Sequence, residues 1–361
     1  MNTTRHLNII KQQIVRLGET SDSSHNYRTS LLSLLRKIVP FDAACCTLVD
    51  PQTLLSTGAV TEDNVESIHQ HLFQIEYGED DVNSYEEMVY GKVHVATLFE
   101  ATEGQPERSA RYRKVLMPAG FGDELRAVLV HGEACWGYLT LYRNADQSVF
   151  LYEESEWITS LVPLIAAKMR TFSLALPERN ENWLEDNHAS GIAILSDQWA
   201  LLSSNPAADQ YLDKLRALEK IDIHILPRPI RAVGTQAFNS VTESSVMAKA
   251  CIRMSEGPYL VIRASRLKSF DGQIQLAITF EPARSADMLP IIAEAYGLTE
   301  REQHLLDGVI QGLSTKELAS SLHISTYTVQ DHLKSIFTKS GVNSRRELIW
   351  SLHSRYSIPQ A

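Results

Sequence analysis

The chain has 361 residues, 44% of them hydrophobic and 22% charged, which is too long for one ordinary core and too apolar for a disordered polymer. No apolar run is long enough to span a bilayer, and the N-terminal residues lead into an amphipathic stretch rather than a secretory signal. Four cysteines without C-x-x-C spacing exclude a disulfide framework and fit a reducing compartment, so a cytoplasmic chain of two or three domains is expected.

Residues 5–17 and 26–39 have helical periodicity, through Leu7, Ile10, Ile14 and Leu17, then Leu31, Leu34, Leu35 and Ile38. Phe41 to Val49 reads as a buried strand with a turn at Asp50-Pro51. Residues 63–77 are helical in pattern, Val93 to Phe99 extended, and Glu107 to Met117 a short helix stopped by Pro118. Asp123 to His131 and Ala134 to Arg143 form a hairpin turning at Gly132-Glu133, and Leu151 to Leu176 is a long helix. Helices followed by strands, a hairpin and a closing helix predict an antiparallel sheet with helices packed on it. Pro40-Phe41-Asp42, Asp50-Pro51, Gly120 to Arg126 and Cys135 to Leu139 make 1–175 resemble a GAF-like sensor domain.

The polar stretch Pro177 to Asn182 marks a boundary. Beyond it, Gly191 to Ser196 and Trp199 to Ser203 read as paired strands, and Asn205-Pro206 opens a helix with Asn as N-cap and Pro at N1. Val246–Met254, Tyr259–Leu267 and Gln273–Phe280 are three further strands, separated by Ser255 to Pro258 and Ser269 to Gly272. Residues 176–285 thereby resemble a PAS-like domain, and Glu281 to Ser285 is the second boundary.

Chemistry is sparse. Cys45 and Cys46 are adjacent on one strand and point to opposite faces. A thiol sensor, or a metal centre with His94 or His131, stands beside the plainer reading of buried cysteine as a small core residue. Trp136, Tyr138, Phe73, Tyr77 and Tyr85 are candidates to line a ligand cavity, with core packing as the alternative. The sequence contains no H-E-x-x-H, P-loop, G-x-G-x-x-G or G-x-S-x-G motif, so no catalytic residue, metal or cofactor is expected.

The last residues carry the strongest signals. Thr299 with Glu302, Ser314 with Glu317 and Ser344 with Glu347 each fit a capping box, and Gly312 and Gly341 stand where helices stop. Between them Val329, Leu333, Ile336 and Phe337 mark the buried face of a helix from Ser325 to Lys339. Its outward face carries Tyr327, Gln330, Asp331 and Lys334, groups able to read base edges, although a merely solvated polar face has the same composition. Residues 290–361 hold seven Lys/Arg and seven Asp/Glu, so the whole net charge of −10 falls on residues 1–289. From Gly308 onward six basic and three acidic residues leave only a weakly basic surface.

Leu298-Thr299-x-Arg301-Glu302, Gly312 to Ala319, Thr328-Val329-x-x-His332-Leu333 and Gly341-Val342-x-Ser344-Arg345 identify a resemblance to the C-terminal module of LuxR-type regulators. The resemblance implies an all-α four-helix helix-turn-helix domain within 286–361, in which Gln330, Asp331 and Lys334 face bases. Ser325, Thr326, Thr328 and Arg345 would meet phosphates, and Leu348, Ile349 and Leu352, with Trp350 beside them, would form a dimer stripe. Phosphorelay relatives carry a receiver domain of alternating βα units, which this front half lacks, and the ligand motif of acyl-homoserine-lactone receptors is absent. The expected whole is α+β sensor domains followed by an all-α DNA-binding domain. It would act as a dimeric transcriptional regulator of double-stranded DNA, with a small-molecule effector or partner acting on 1–285. An interaction scaffold and a metabolite-processing enzyme with an appended DNA-binding module are the competing readings.

Overall fold

The computed structural model describes residues 2–174, 190–239, 248–254, 259–268 and 272–356. The first sheet is antiparallel, in the order β2-β1-β5-β4-β3. It is built from Ala43–Val49 (β1), Ser56–Thr61 (β2), Val95–Thr97 (β3), Phe121–His131 (β4) and Ala134–Asn144 (β5). Strand alternation gives it two cores. Ala44 and Cys46 turn toward the helices Asn2–Thr20, Ser24–Leu35 and Tyr152–Leu174, which bring Ile14, Leu31, Leu35, Leu161 and Ile165. Ala43 and Cys45 turn the other way, onto Leu72, Ile75, Leu98 and Leu116 from short covering helices. The two cysteines therefore divide between cores as their spacing requires. The strand β2 lies in a stretch that none of the expected elements covers.

A bulge breaks the alternation in β5. Val128 pairs with Tyr138 but Val130 pairs with Cys135, so β5 uses one residue more than β4. Gly137 lies at this point, and a Cβ there would stand 2.4 Å from the Thr47 carbonyl oxygen. Trp136 consequently enters the core under the long helix, while Cys135 and Tyr138 face the opposite side with Val49 and Met88.

That opposite side is fastened by buried charge. The Glu124 carboxylate accepts from Arg111 Nε at 2.9 Å and lies 3.1 Å from Arg126 Nε, and Arg126 reaches Glu76 at 2.6 Å. Asp81 accepts from the Arg111 amide at 2.7 Å and from the Ser109 hydroxyl at 2.8 Å. The Arg126 guanidinium also lies 4.3 Å from the centre of the Tyr85 ring. These contacts tie the segment 76–91, with its short helix Tyr85–Tyr90, to β4. Burial alone would raise the Glu124 carboxyl, but Arg111 and Arg126 outweigh it and hold it below its ordinary value.

The second sheet is also antiparallel, in the order β7-β6-β10-β9-β8, from Gly191–Ser196 (β6), Leu201–Ser204 (β7), Ala248–Ile252 (β8), Leu260–Lys268 (β9) and Ile274–Pro282 (β10). Helices Pro206–Glu219 and Arg228–Asn239 cover one face over Ala193, Leu195, Ile262, Leu276 and Phe280. Asn205 caps the first of them, accepting from the Ala208 amide at 2.9 Å, with Pro206 at its start. Trp199 belongs to the turn rather than to a strand, at φ 65°. The expected turns 177–182, 255–258 and most of 269–272 lie outside the described residues, as do positions 246 and 247 of one expected strand.

The two sheets share a closely knit joint. Leu55 and Phe73 from the first half are buried in the core of the second. Asp50 accepts from the Cys251 amide at 2.8 Å, and Glu219 from the Ala59 amide at 3.2 Å. Glu66 pairs with Arg231 at 2.7 Å and also with Arg228.

A helix not foreseen from the sequence, Ser285–Tyr296, leaves the second sheet and ends at Gly297 in the left-handed conformation. We call it the linking helix. Met288 packs on Cys251, and the Ala295 carbonyl accepts from Arg170 of the long helix at 2.6 Å. Four helices follow: Glu300–Ile310, Thr315–Ser321, Thr326–Ser340 and Arg345–Tyr356. Leu305, Val309, Leu318, Val329, Leu333, Ile336, Leu348 and Leu352 are buried in this module. Lys339 reaches across it to the buried Glu302 at 2.6 Å. No described helix is long and apolar enough to cross a membrane.

Two expectations follow from the buried charges. Glu124→Gln should destabilise the chain by about 3–5 kcal/mol by leaving arginine charge uncompensated, and pairing it with Arg111→Gln should cost less than the two separate losses. Urea unfolding of the single and double variants measures both. In the C-terminal module, burial alone would raise the Glu302 carboxyl. Hydrogen bonds from Lys339, Ser335 and the Thr299 amide, with the Lys339 charge, bring it down to about 2. A depressed carboxyl stabilises fully above its unfolded value of about 4.3 and loses that contribution as pH falls toward 2. Amide exchange of the module's helices should report a loss on the order of 2 kcal/mol between pH 5 and pH 2.5. Glu302→Gln should flatten that dependence.

Candidate nucleic-acid interface

The module's local chemistry fixes which face it offers. Thr299 accepts from the Glu302 amide while Glu302 accepts from the Thr299 amide, and Ser314 and Glu317 do the same, completing two capping boxes. At Ser344 only half of the pattern forms: its hydroxyl accepts from the Glu347 amide at 3.1 Å, while the Glu347 carboxylate takes the Asn343 amide at 2.8 Å. Gly341, at φ 71°, ends the third helix of the module. The resulting core buries Val329, Leu333 and Ile336 and leaves the opposite side of Thr326–Ser340 in solvent.

Gln330, Asp331 and Lys334 are all exposed on that side. The Lys334 ammonium lies 3.8 Å from the Asp331 carboxylate, a solvent-exposed pair one turn apart that contributes little to stability. Tyr327 is 72% exposed at the start of the same face. Ser325 serves as N-cap, accepting from the Thr328 amide at 3.0 Å, and its hydroxyl lies 2.9 Å from that of Thr328. Thr326 is exposed beside them. The N-terminal turn therefore gathers hydroxyls and free N–H groups on one side, a chemistry that suits phosphate oxygens. Lys316 and Arg346 are exposed cations of the same module that the sequence reading did not nominate. A basic residue in a helix's first turn, against the dipole, was the available signal for Lys316.

Arg345 and the expected dimer stripe take different positions from those anticipated. Arg345 is half-buried and donates to the carbonyls of Leu313 at 2.5 Å and Val309 at 3.4 Å. It thus ties the last helix to the turn that follows Glu300–Ile310. Leu348 and Leu352 are each only 1% exposed, so they are used in the module's own core and cannot meet a second chain. Periodicity alone does not distinguish an inward from an intermolecular stripe. Ile349 is half-buried, whereas Trp350 stands out at 63% exposure.

In the front half, Tyr77, Tyr85 and Tyr138 line one cavity of about 270 Å³ with Leu54 and Glu76. The rings of Tyr85 and Tyr138 stack 3.8 Å apart, and the Tyr138 hydroxyl donates to the Leu54 carbonyl at 2.9 Å. Trp136 and Phe73 do not join them: the β5 bulge sends Trp136 to the opposite core, and Phe73 faces the second sheet. Cys45 lies near neither His94 nor His131. Its sulfur is 3.8 Å from His69 Nε2, and burial followed by the nearby Arg231 charge lowers His69 to about 3, leaving the imidazole neutral. Burial raises the Cys46 and Cys135 thiols to about 12, which keeps them protonated and unreactive. Among the described residues no three His, Cys, Asp or Glu side chains gather as a metal site would require.

The family model for bacterial regulatory proteins of the luxR family matches residues 297–352. The nitrate/nitrite response regulator protein NarP of Escherichia coli is 48% identical over 148 residues, covering 40% of this chain and 67% of that protein. The response regulator Rre1 of Synechocystis is 49% identical over 51 residues, and the chain spans only 22% of its length. Among solved structures, Escherichia coli SdiA aligns over 96% of both chains, with 10% identity and a TM-score of 0.34. The chain belongs to the luxR family of bacterial regulatory proteins.

Proposed function

We infer that the protein is a transcriptional regulator whose helix Thr326–Ser340 enters the DNA major groove, under control of the two sheet-bearing domains that precede it. The observation that carries this reading is the exposed face of Gln330, Asp331 and Lys334 within the matched span 297–352. Gln is suited to bidentate recognition of adenine and Lys to the acceptors of guanine, while Asp accepts from cytosine. Ser325, Thr326 and Thr328 then approach the phosphates from the helix start. Two copies would meet through the last helix, on the Ile349 and Trp350 side that the core leaves open, and read a site of two-fold symmetry.

The front half is read as a GAF-like domain at 1–175 and a PAS-like domain at 176–285. Two antiparallel five-stranded sheets with helical covers support that assignment, and they differ from the alternating βα units expected of a phosphorelay receiver. Control reaches the module through the linking helix, which touches the long helix at Arg170 and the second sheet at Cys251. A shift of about 1–3 kcal/mol between two placements of that helix is enough for regulation.

Selection of genomic fragments by the purified full-length chain should recover a roughly palindromic motif. Gln330→Ala and Lys334→Ala should each weaken that motif by about 1–3 kcal/mol and relax preference at one position. Unchanged affinity and preference in both variants would refute the recognition face. Arg345→Ala should lower the module's melting temperature, because the Leu313 carbonyl loses its donor, and should weaken all DNA sequences alike only to the extent that the fold is lost; calorimetry beside fluorescence anisotropy checks that the two losses track each other.

A further inference from the structure

One sizeable cavity of the front half lies between the two sheets rather than inside either. A cavity of about 640 Å³ lies where the N-terminal helices, β1 and β2, the end of the long helix, the second domain and the linking helix converge. Its size suits a small organic ligand. Phe172, Leu218 and Ile291 give it an apolar side, and Arg28, Lys168 and Arg253 give it cations.

Two of these cations, Arg28 and Lys168, lack a close carboxylate partner among the described residues. Arg28 is 5% exposed, yet its guanidinium donates only to carbonyls, at Ser24, Cys46 and Gly58. Lys168 places its ammonium 4.6 Å from the centre of the Phe172 ring. Among the described residues neither cation has a carboxylate at ion-pair distance. The two carboxylates on the wall are engaged elsewhere: Asp22 holds the Asn26 amide, and Glu219 accepts from the Ala59 and Arg228 amides. His25 adds no charge near neutrality, since burial, with Lys220 and Arg28 nearby, lowers it to about 4. Its Nδ1 and the Ser24 hydroxyl are buried without partners at the same wall. Glu219 answers the Arg28 charge only from beyond ion-pair distance, so an anionic ligand beside Arg28 and Lys168 would bring a closer counter-charge to a buried cation.

We propose that this junction, and not the tyrosine-lined cavity, is the effector site, and that it takes a small amphiphilic carboxylate with its head toward Arg28 and Lys168 and its apolar body against Phe172, Leu218 and Ile291. The proposal rests on the regulator reading above. The tyrosine-lined cavity touches no residue of the linking helix, whereas Ile291 belongs to it, so a ligand at the junction contacts the element that carries the DNA-binding module. Occupancy then acts directly on the placement of that helix.

Isothermal titration of sodium octanoate into the full chain tests this, with octanol as the neutral control. The expected result is saturable binding near one per chain for octanoate and none for octanol. Lys168→Gln should weaken it about tenfold, and Leu218→Trp, which fills the cavity, should abolish it. Both variants avoid the structural role of Arg28 and should keep the wild-type melting temperature. Octanoate at saturation should change affinity for the selected DNA motif at least fivefold in the wild type and not in Leu218→Trp. Equal binding of octanol, octanoate binding untouched by both substitutions, absence of saturable binding, or bound octanoate without effect on DNA affinity would each overturn the proposal. Failure of the ligand-free chain to select any motif would be a failure of the regulator reading, seen in a separate arm.

Discussion

Removing a guanidinium from water costs several kcal/mol unless its hydrogen bonds and charge are answered inside the protein, and three arginines are buried where the two sheets meet. Arg228 and Arg231 converge on Glu66 from the far side of the joint, while Arg28 is held by the carbonyls of Cys46 and Gly58. Each such contact is directional, so the joint has few acceptable geometries. With Leu55 and Phe73 seated in the neighbouring core, the two sheets behave as parts of one body rather than beads on a string. The linking helix inherits its position from that body.

On the proposed reading, this arrangement would let the two sheets act on a small helical module without touching DNA themselves. The linking helix is held by both sheet-bearing domains. Met288 rests on β8 of the second sheet, and the carbonyl at Ala295 is caught by Arg170 of the first domain. A small change in the relation of the sheets therefore has to alter the helix that joins both. Packed interiors amplify such changes because they switch between alternatives rather than deform smoothly.

Much of this was legible in the sequence because the relevant signals are local. The capping boxes at Thr299 and Ser314, the Asn205-Pro206 helix start and the split of Cys45 from Cys46 depend on neighbours within a few residues. What was missed depends on distant partners. A single extra residue in β5, at a glycine facing the Thr47 carbonyl, reversed the side taken by Trp136. Leu348 and Leu352 had the spacing of an apolar stripe, but which body the stripe faces is decided by Leu305 and Val309, far away in sequence. Arg345 had the look of a phosphate ligand and proved to bind two carbonyls of its own module. The linking helix, with Pro290 inside it, offered no start signal of the usual kind.

The pairing of Asp331 with Lys334 has a kinetic consequence. Opposite charges 3.8 Å apart on the exposed face leave little net field beyond one Debye length, and the chain as a whole carries −10. A module so weakly basic in a chain of that charge would exert little long-range pull on a polyanion, so on the proposed reading arrival at DNA would gain little of the acceleration that basic proteins enjoy. Selectivity would then rest on residence. Right and wrong sites would be met at similar rates, and the right one would be distinguished by how slowly the helix leaves it.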